Sequence, residues 1–172
     1  TNGNWLMPQL AGQPHPDAPL YYWVAAITAH LFSWLLPVHD AARLASGLFT
    51  LLALAFILLA ARELHGRDHA AAGPLILAGS IGFLFHAHEA QPMLAALTAN
   101  TAAFWALTLM PRRPGFSAMV FGTAVATGFL ANGLLPVLTL LPVTAFSLWL
   151  SADRKKNLKL LALALALALL LC

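Results

Sequence analysis

The 172 residues are 60% hydrophobic and only 9% charged, which excludes an ordinary soluble domain, where about a quarter of residues carry charge. Nine Lys and Arg against six Asp and Glu leave a formal net charge of +3. The cations sit in short clusters between apolar runs, without the basic, aromatic-interleaved stripe of a nucleic-acid surface. The single cysteine, Cys172, supports neither a disulfide nor a cysteine-based metal site.

The chain opens on W-L-M-P-Q-L-A-G-Q-P-H-P-D-A-P-L-Y-Y-W, from Trp5 to Trp23. Proline at 8, 14, 16 and 19 forbids a continuous helix there, because each ring removes an N–H and restricts the residue before it. Irregular backbone needs water or protein partners, so this stretch belongs at a membrane surface rather than in lipid. Tyr21, Tyr22 and Trp23 suit the headgroup layer, where an apolar ring and a polar tip are both satisfied. Residues 1–40 therefore read as an outer loop with a partly helical, interfacial end. The remainder, 41–172, reads as an all-α, multi-span transmembrane domain.

Six apolar runs follow: Ala41–Ala61, Ala70–Phe85, Pro92–Met110, Phe116–Leu130, Gly133–Leu150 and Leu158–Cys172. At about 1.5 Å rise per residue, the first covers roughly 30 Å, a full hydrocarbon core. Phe116–Leu130 is short and needs its flanking residues to reach that length. The Leu/Ala alternation after Leu160 has strand periodicity on paper, but both residues are strong helix formers and no β-branched residue supports a strand. Helix is expected there. The N-terminus is no signal peptide, since a basic first region is missing and Asp17 and the prolines precede the apolar runs. Thr1 is not an initiator Met and the last run is still apolar at Cys172. The sequence thus reads as a piece of a longer membrane protein, and no turnover is expected of the piece alone.

Orientation follows from the basic residues. Arg62 and Arg67 flank the first gap, Arg112 and Arg113 the third, and Arg154, Lys155, Lys156 and Lys159 the fifth. The gaps at 86–91 and 131–132 contain neither Lys nor Arg. With the positive side inward, this places 1–40, 86–91 and 131–132 outside together.

The Trp5–Trp23 pattern, followed by A-A-R-L-A-S-G-L-F at 41–49, resembles polytopic GT-C glycosyltransferases. The similar branch contains lipid A aminoarabinose transferases and protein O-mannosyltransferases, whose first outer loop reads W-L-x-P-x-L-x-G-x-P-x-x-D-K-P-P-L-Y-Y-W, with A-A-R-L-P-S further on. The likeness is specific over 4–50 and mostly hydropathy over 51–172. It implies transfer of a sugar from a polyprenyl-phosphate carrier to a lipid A or protein acceptor, on the outer face of a bacterial inner membrane. The partners it implies are that carrier, the acceptor and membrane lipids, with no nucleic acid. The family's D-K-P-P corresponds to Asp17-Ala18-Pro19, one residue shorter and without the lysine; its R-x-x-x-P-D-M corresponds to His88-Glu89-Ala90-Gln91-Pro92-Met93, with His88 for the Arg and Met93 for the Asp unless Glu89 replaces it.

Such chemistry needs positive charge or a metal beside the leaving phosphate and a carboxylate to take the acceptor's proton. Glu89, the acidic residue of its loop, is one candidate base; the plainer reading is a solvated helix end. Asp17 is the other, against the alternative of a turn-forming Asp between prolines. Arg43 is the cation that breaks the charge rule: it binds the carrier phosphate bidentately, or else snorkels to lipid headgroups or pairs with Asp40, three residues earlier. His15 is a further phosphate donor, and Tyr21 and Tyr22 either line the carrier groove or serve as interfacial anchors alone. His86 and His88, with Glu89, are candidate ligands for a divalent metal, the only cofactor expected. A regular helix would point His88 away from the other two, and the alternative is a polar helix end facing headgroups. His65 and His69 belong to a solvated inner loop. Rival functions are a secondary transporter and a non-catalytic membrane subunit on the same scaffold.

Overall fold

The computed structural model describes residues 9–10, 13–14, 18–80, 91–150 and 153–171. These form seven helices and one minimal antiparallel pair, β1 (Gln9–Leu10) with β2 (Gln13–Pro14), in which Leu10 faces Gln13. The helices are α1 (Leu20–Phe32), α2 (Val38–His65), α3 (Ala72–Ala78), α4 (Met93–Leu109), α5 (Pro114–Asn132), α6 (Leu134–Leu150) and α7 (Arg154–Leu171). The architecture is an all-α membrane domain.

Proline marks most of the starts. Pro19, Pro37 and Pro92 stand immediately before α1, α2 and α4, and Pro114 is the first residue of α5. A helix's first turn has no partners for its N–H groups, so proline's missing donor costs nothing there and its fixed φ favours the helix. Glycine marks two of the ends. Gly66 (φ 83°) and Gly133 (φ 61°) turn the chain out of α2 and α5 in the left-handed region, and their N–H groups return to Arg62 O and Phe129 O. A side chain at either position would clash with its own backbone.

Among the described residues two helices, α2 and α5, are long and apolar enough to cross a membrane; α1, α4 and Leu134–Trp149 of α6 are shorter apolar helices. The short run at 116–130 reaches 19 residues in α5 because Pro114, Gly115, Ala131 and Asn132 are all helical. Of the expected run 70–85, the described residues include the seven-residue α3.

The bundle core sits around α5, which packs against α4 on one side and α7 on another. Ala103, Ala106, Ala118, Ala124 and Ala164 are buried at its centre with Phe121, Leu107 and Leu161 packed among them. Lipid offers no hydrophobic gain for bringing apolar helices together, so close packing of small side chains carries the association. At Gly122 the approach is closest: a Cβ there would lie 2.6 Å from the Ala164 carbonyl oxygen. Ser117 Oγ donates to Ala106 O at 2.6 Å and Thr98 Oγ1 lies 2.8 Å from both Phe49 O and Leu94 O. These hydroxyls tie α5 to α4 and α4 to α2. Large apolar side chains such as Leu51, Leu138, Trp149, Leu163 and Leu169 face outward, an arrangement suited to lipid and a liability in water.

Gly122→Ala should lower the stability of the detergent-solubilised protein by about 1–3 kcal/mol, because backbone rather than a flexible side chain must move. Gly47→Ala, with open space around it, should change it by no more than about 0.5 kcal/mol. Thermal unfolding followed by circular dichroism separates the two; equal effects would remove the close α5–α7 contact as an element of stability.

Candidate functional site

The N-terminal halves of α1, α2 and α4 meet the C-terminal end of α5 at one end of the bundle, in a cluster of Tyr21, Ala45, Phe49, Leu94, Ala95 and Ala131. Tyr21 is its centre. The ring is 3% exposed, its hydroxyl lies 2.7 Å from Ser46 Oγ, with either atom able to donate. The ring stacks on Phe49 at 6.1 Å and meets Tyr22 edge-on at 5.8 Å. Ala41 and Ala45, fully buried on the same face of α2, keep the two backbones close enough for the hydroxyl to reach. A buried phenol needs such a partner. Tyr21 is thus the anchor of α1 on α2, while Tyr22 is less buried and packs beside it.

Arg43 lies on the same stretch of α2, three residues before Ser46, with its side chain 61% exposed. Its Nη1 is 3.9 Å from Asp40 Oδ1, and His39 Nε2 approaches the same oxygen at 3.4 Å. The i,i+3 pairing read from the sequence is therefore formed. Exposed pairs at these distances hold loosely, so Arg43 keeps its capacity for another anion. Asp40 was legible only as a partner for Arg43; its contact with His39 was not foreseen, although adjacent His and Asp at a helix start are the signal.

Glu89, Asp17, His15, His86 and His88 lie outside the described residues. The described residues that flank them converge: Tyr21, shortly after Asp17, and Leu94, shortly after Glu89, belong to one cluster. Among the described residues no group of three His, Cys, Asp or Glu could hold a metal ion. Ser46, Phe49 and Thr98, which build this end, were missed as site-forming residues; Ser46 stood in the A-A-R-L-A-S stretch as a motif letter without a partner.

Charge divides by end. Arg112 Nη1 meets Glu63 Oε2 at 2.7 Å, joining the loop after α4 to the end of α2. Leu64, Pro111, Asp153 and Lys156 border one cavity. The three basic gaps thus gather opposite the Tyr21 cluster, where Arg43 is the sole Lys or Arg.

The sequence model of the dolichyl-phosphate-mannose-protein mannosyltransferases matches residues 14–172. The chain belongs to that family. Its members are membrane glycosyltransferases of the GT-C type, which argues against the transporter reading. The match continues through 51–172, where the residues alone offered little beyond hydropathy. No curated protein and no solved structure matches the chain. At the family level the partners are a polyprenyl-phosphate-linked sugar and a protein acceptor.

Tyr21→Phe keeps the ring and removes the hydroxyl facing Ser46, and should cost about 0.5–1.5 kcal/mol. Tyr21→Ala also removes the buried ring and should cost about 3–5 kcal/mol. Thermal unfolding in detergent measures both. If Tyr21→Ala melts like the parent, α1 is held by something other than this anchor.

Proposed function

We propose that this protein transfers a sugar from a polyprenyl-phosphate carrier to a hydroxyl of a protein acceptor, and that the Tyr21 end of the bundle forms one wall of the donor site. The observation that carries the reading is the placement of Arg43. It is the only Lys or Arg at that end, it sits beside a buried aromatic anchor, and its one charged partner among the described residues is the half-buried Asp40. A guanidinium there suits the phosphate, and the apolar outer faces of α1 and α2 suit the isoprenoid chain. The family description supports mannose as the sugar and protein as the acceptor; nothing in it speaks for lipid A.

In this reaction the acceptor oxygen attacks the anomeric carbon. The bond from that carbon to the phosphate oxygen breaks, and its electron pair leaves with the carrier phosphate. Arg43, assisted by His15, stabilises the developing charge. Glu89 takes the acceptor's proton, with Asp17 as the second carboxylate of the loop pair. Tyr22 lines the groove while Tyr21 holds it in place. A divalent ion on His86 and His88 would supply the same neutralisation of the phosphate.

In the complete gene product, Arg43→Gln should raise the apparent KM for the lipid-linked sugar by roughly 10- to 150-fold, the worth of a charge-assisted contact. Glu89→Gln should instead lower kcat by about 10²-fold or more, since the amide cannot accept the proton. Turnover with radiolabelled donor and separate protein and lipid acceptors measures both. An unchanged KM with reduced yield would make Arg43 a headgroup anchor. Chelation by EDTA tests the histidine pair: turnover that survives it assigns the phosphate charge to Arg43.

The proposed topology places the Tyr21 end outside the cytoplasmic membrane and the basic end inside. In a Cys172→Ser background, a membrane-impermeant thiol reagent should label His39→Cys and spare Asp153→Cys in intact cells. The reverse pattern would invert the topology and move the site to the cytoplasm.

A further inference from the structure

A cavity of about 560 Å³ lies at the basic end of the bundle, lined by residues of α2, α4, α6 and α7, the first residue of α5 and the adjoining loops. Its inner wall is apolar, with Leu64, Phe104, Leu107 and Phe146, and Asp153 and Lys156 contribute charge near the start of α7. The volume falls in the range of about 300–1,000 Å³ typical of ligand pockets. Its position is independent of the proposed sugar-transfer site, which is at the other end.

We propose that this cavity binds an anionic glycerophospholipid, with an acyl chain against the apolar wall and the phosphate at Lys156. The surrounding charge is one-sided: eight Lys and Arg flank this end against Glu63, Asp68 and Asp153. Of these, Arg112 is engaged by Glu63 at 2.7 Å and Arg154 donates to Trp149 O at 3.0 Å. Among the described residues Lys156 makes no ion pair, and it is the cation in the cavity lining. Two further features favour an anion there. Lys156 lies in the first turn of α7, where the helix dipole attracts negative charge, and basic pockets between membrane helices suit acidic headgroups. Asp153 opposes the anion, but it is one carboxylate within a surplus of cations. A small soluble anion would leave the apolar wall unused, and an apolar peptide would leave Lys156 uncompensated. A zwitterionic lipid would bring its own cation to a positive rim. An anionic phospholipid satisfies both wall and rim, and it would bridge α4, α6 and α7 where the protein alone leaves a gap.

The complete gene product, stripped of lipid in detergent and returned to nanodiscs, provides the test. Phosphatidylglycerol in a phosphatidylcholine background should raise the thermal midpoint above that in phosphatidylcholine alone, and native mass spectrometry should retain it as a bound adduct. Lys156→Gln should lower that retention about fivefold, whereas Lys159→Gln, at the same end but outside the lining, should change it by less than about twofold. Ser147→Phe, which narrows the cavity at its apolar wall without altering charge, should also lower it. Equal stabilisation by the two lipids overturns the proposal, as do equal losses from Lys156→Gln and Lys159→Gln, which would show diffuse attraction to the basic surface. Undiminished retention by a folded Ser147→Phe would place the lipid elsewhere.

Discussion

The close approach of α4, α5 and α7 at Gly122 and a set of buried alanines is the constraint on which the bundle rests. Gly122 against the Ala164 carbonyl, and Ala103, Ala106, Ala118 and Ala124 around it, leave little room for longer side chains. Phe121, Leu107, Leu140 and Leu161 fill the space beside these contacts, while Leu51, Leu138, Leu163 and Leu169 face outward toward lipid. Buried hydroxyls complete the arrangement. Ser117 and Thr98 each give a proton to a carbonyl on a neighbouring helix or on their own, satisfying polar groups that water cannot reach.

The Tyr21 end is built on the opposite device. Here one large aromatic fills the space between α1 and α2, and its hydroxyl finds Ser46. Small residues still matter, because Ala41 and Ala45 hold the helices at the right separation. The anchor fixes the start of α1 against α2, and it does so within one turn of Arg43. A positioning contact and a cation are thus set by the same short piece of α2, from Asp40 to Phe49. That piece coincides with the A-A-R-L-A-S-G-L-F stretch, so its spacing has a physical account: arginine on the exposed face, serine and phenylalanine on the buried one, three and six residues on.

Much of this was legible in the residues. Apolar runs bounded by proline and glycine located α2, α4, α5 and α6 to within a few residues, because the breakers act locally and do not depend on the rest of the fold. Basic gaps recurring at alternate turns anticipated that Arg62, Arg112 and Lys156 would share an end. The N-terminal motifs led to the GT-C family that the comparison supports. Partners distant in sequence were not legible. Nothing in the chain says that Tyr21 turns inward to Ser46 rather than outward to headgroups, since a tyrosine at a membrane interface is satisfied by either. The same holds for Thr98, whose contact with the Phe49 carbonyl spans 49 residues. Arg43 with Asp40 was legible because helical spacing alone brings them together.

The Asp40–Arg43 pair bears on how the proposed donor site works. An exposed ion pair contributes between nothing and about 1 kcal/mol, whereas a charge-assisted contact to a phosphate in a partly dry groove is worth about 1.5–3 kcal/mol. In that proposal the phosphate would win the guanidinium, and Asp40 would retain His39 as its neighbour. Before the donor arrives, Asp40 keeps Arg43 near the helix and limits the conformations it must give up on binding, which lessens the entropy cost of ordering a long side chain. The pair is weak enough to yield and short enough in reach to guide. With the family's lysine replaced by Ala18, this reading makes Arg43 the cation on which the electrostatics of that end depend.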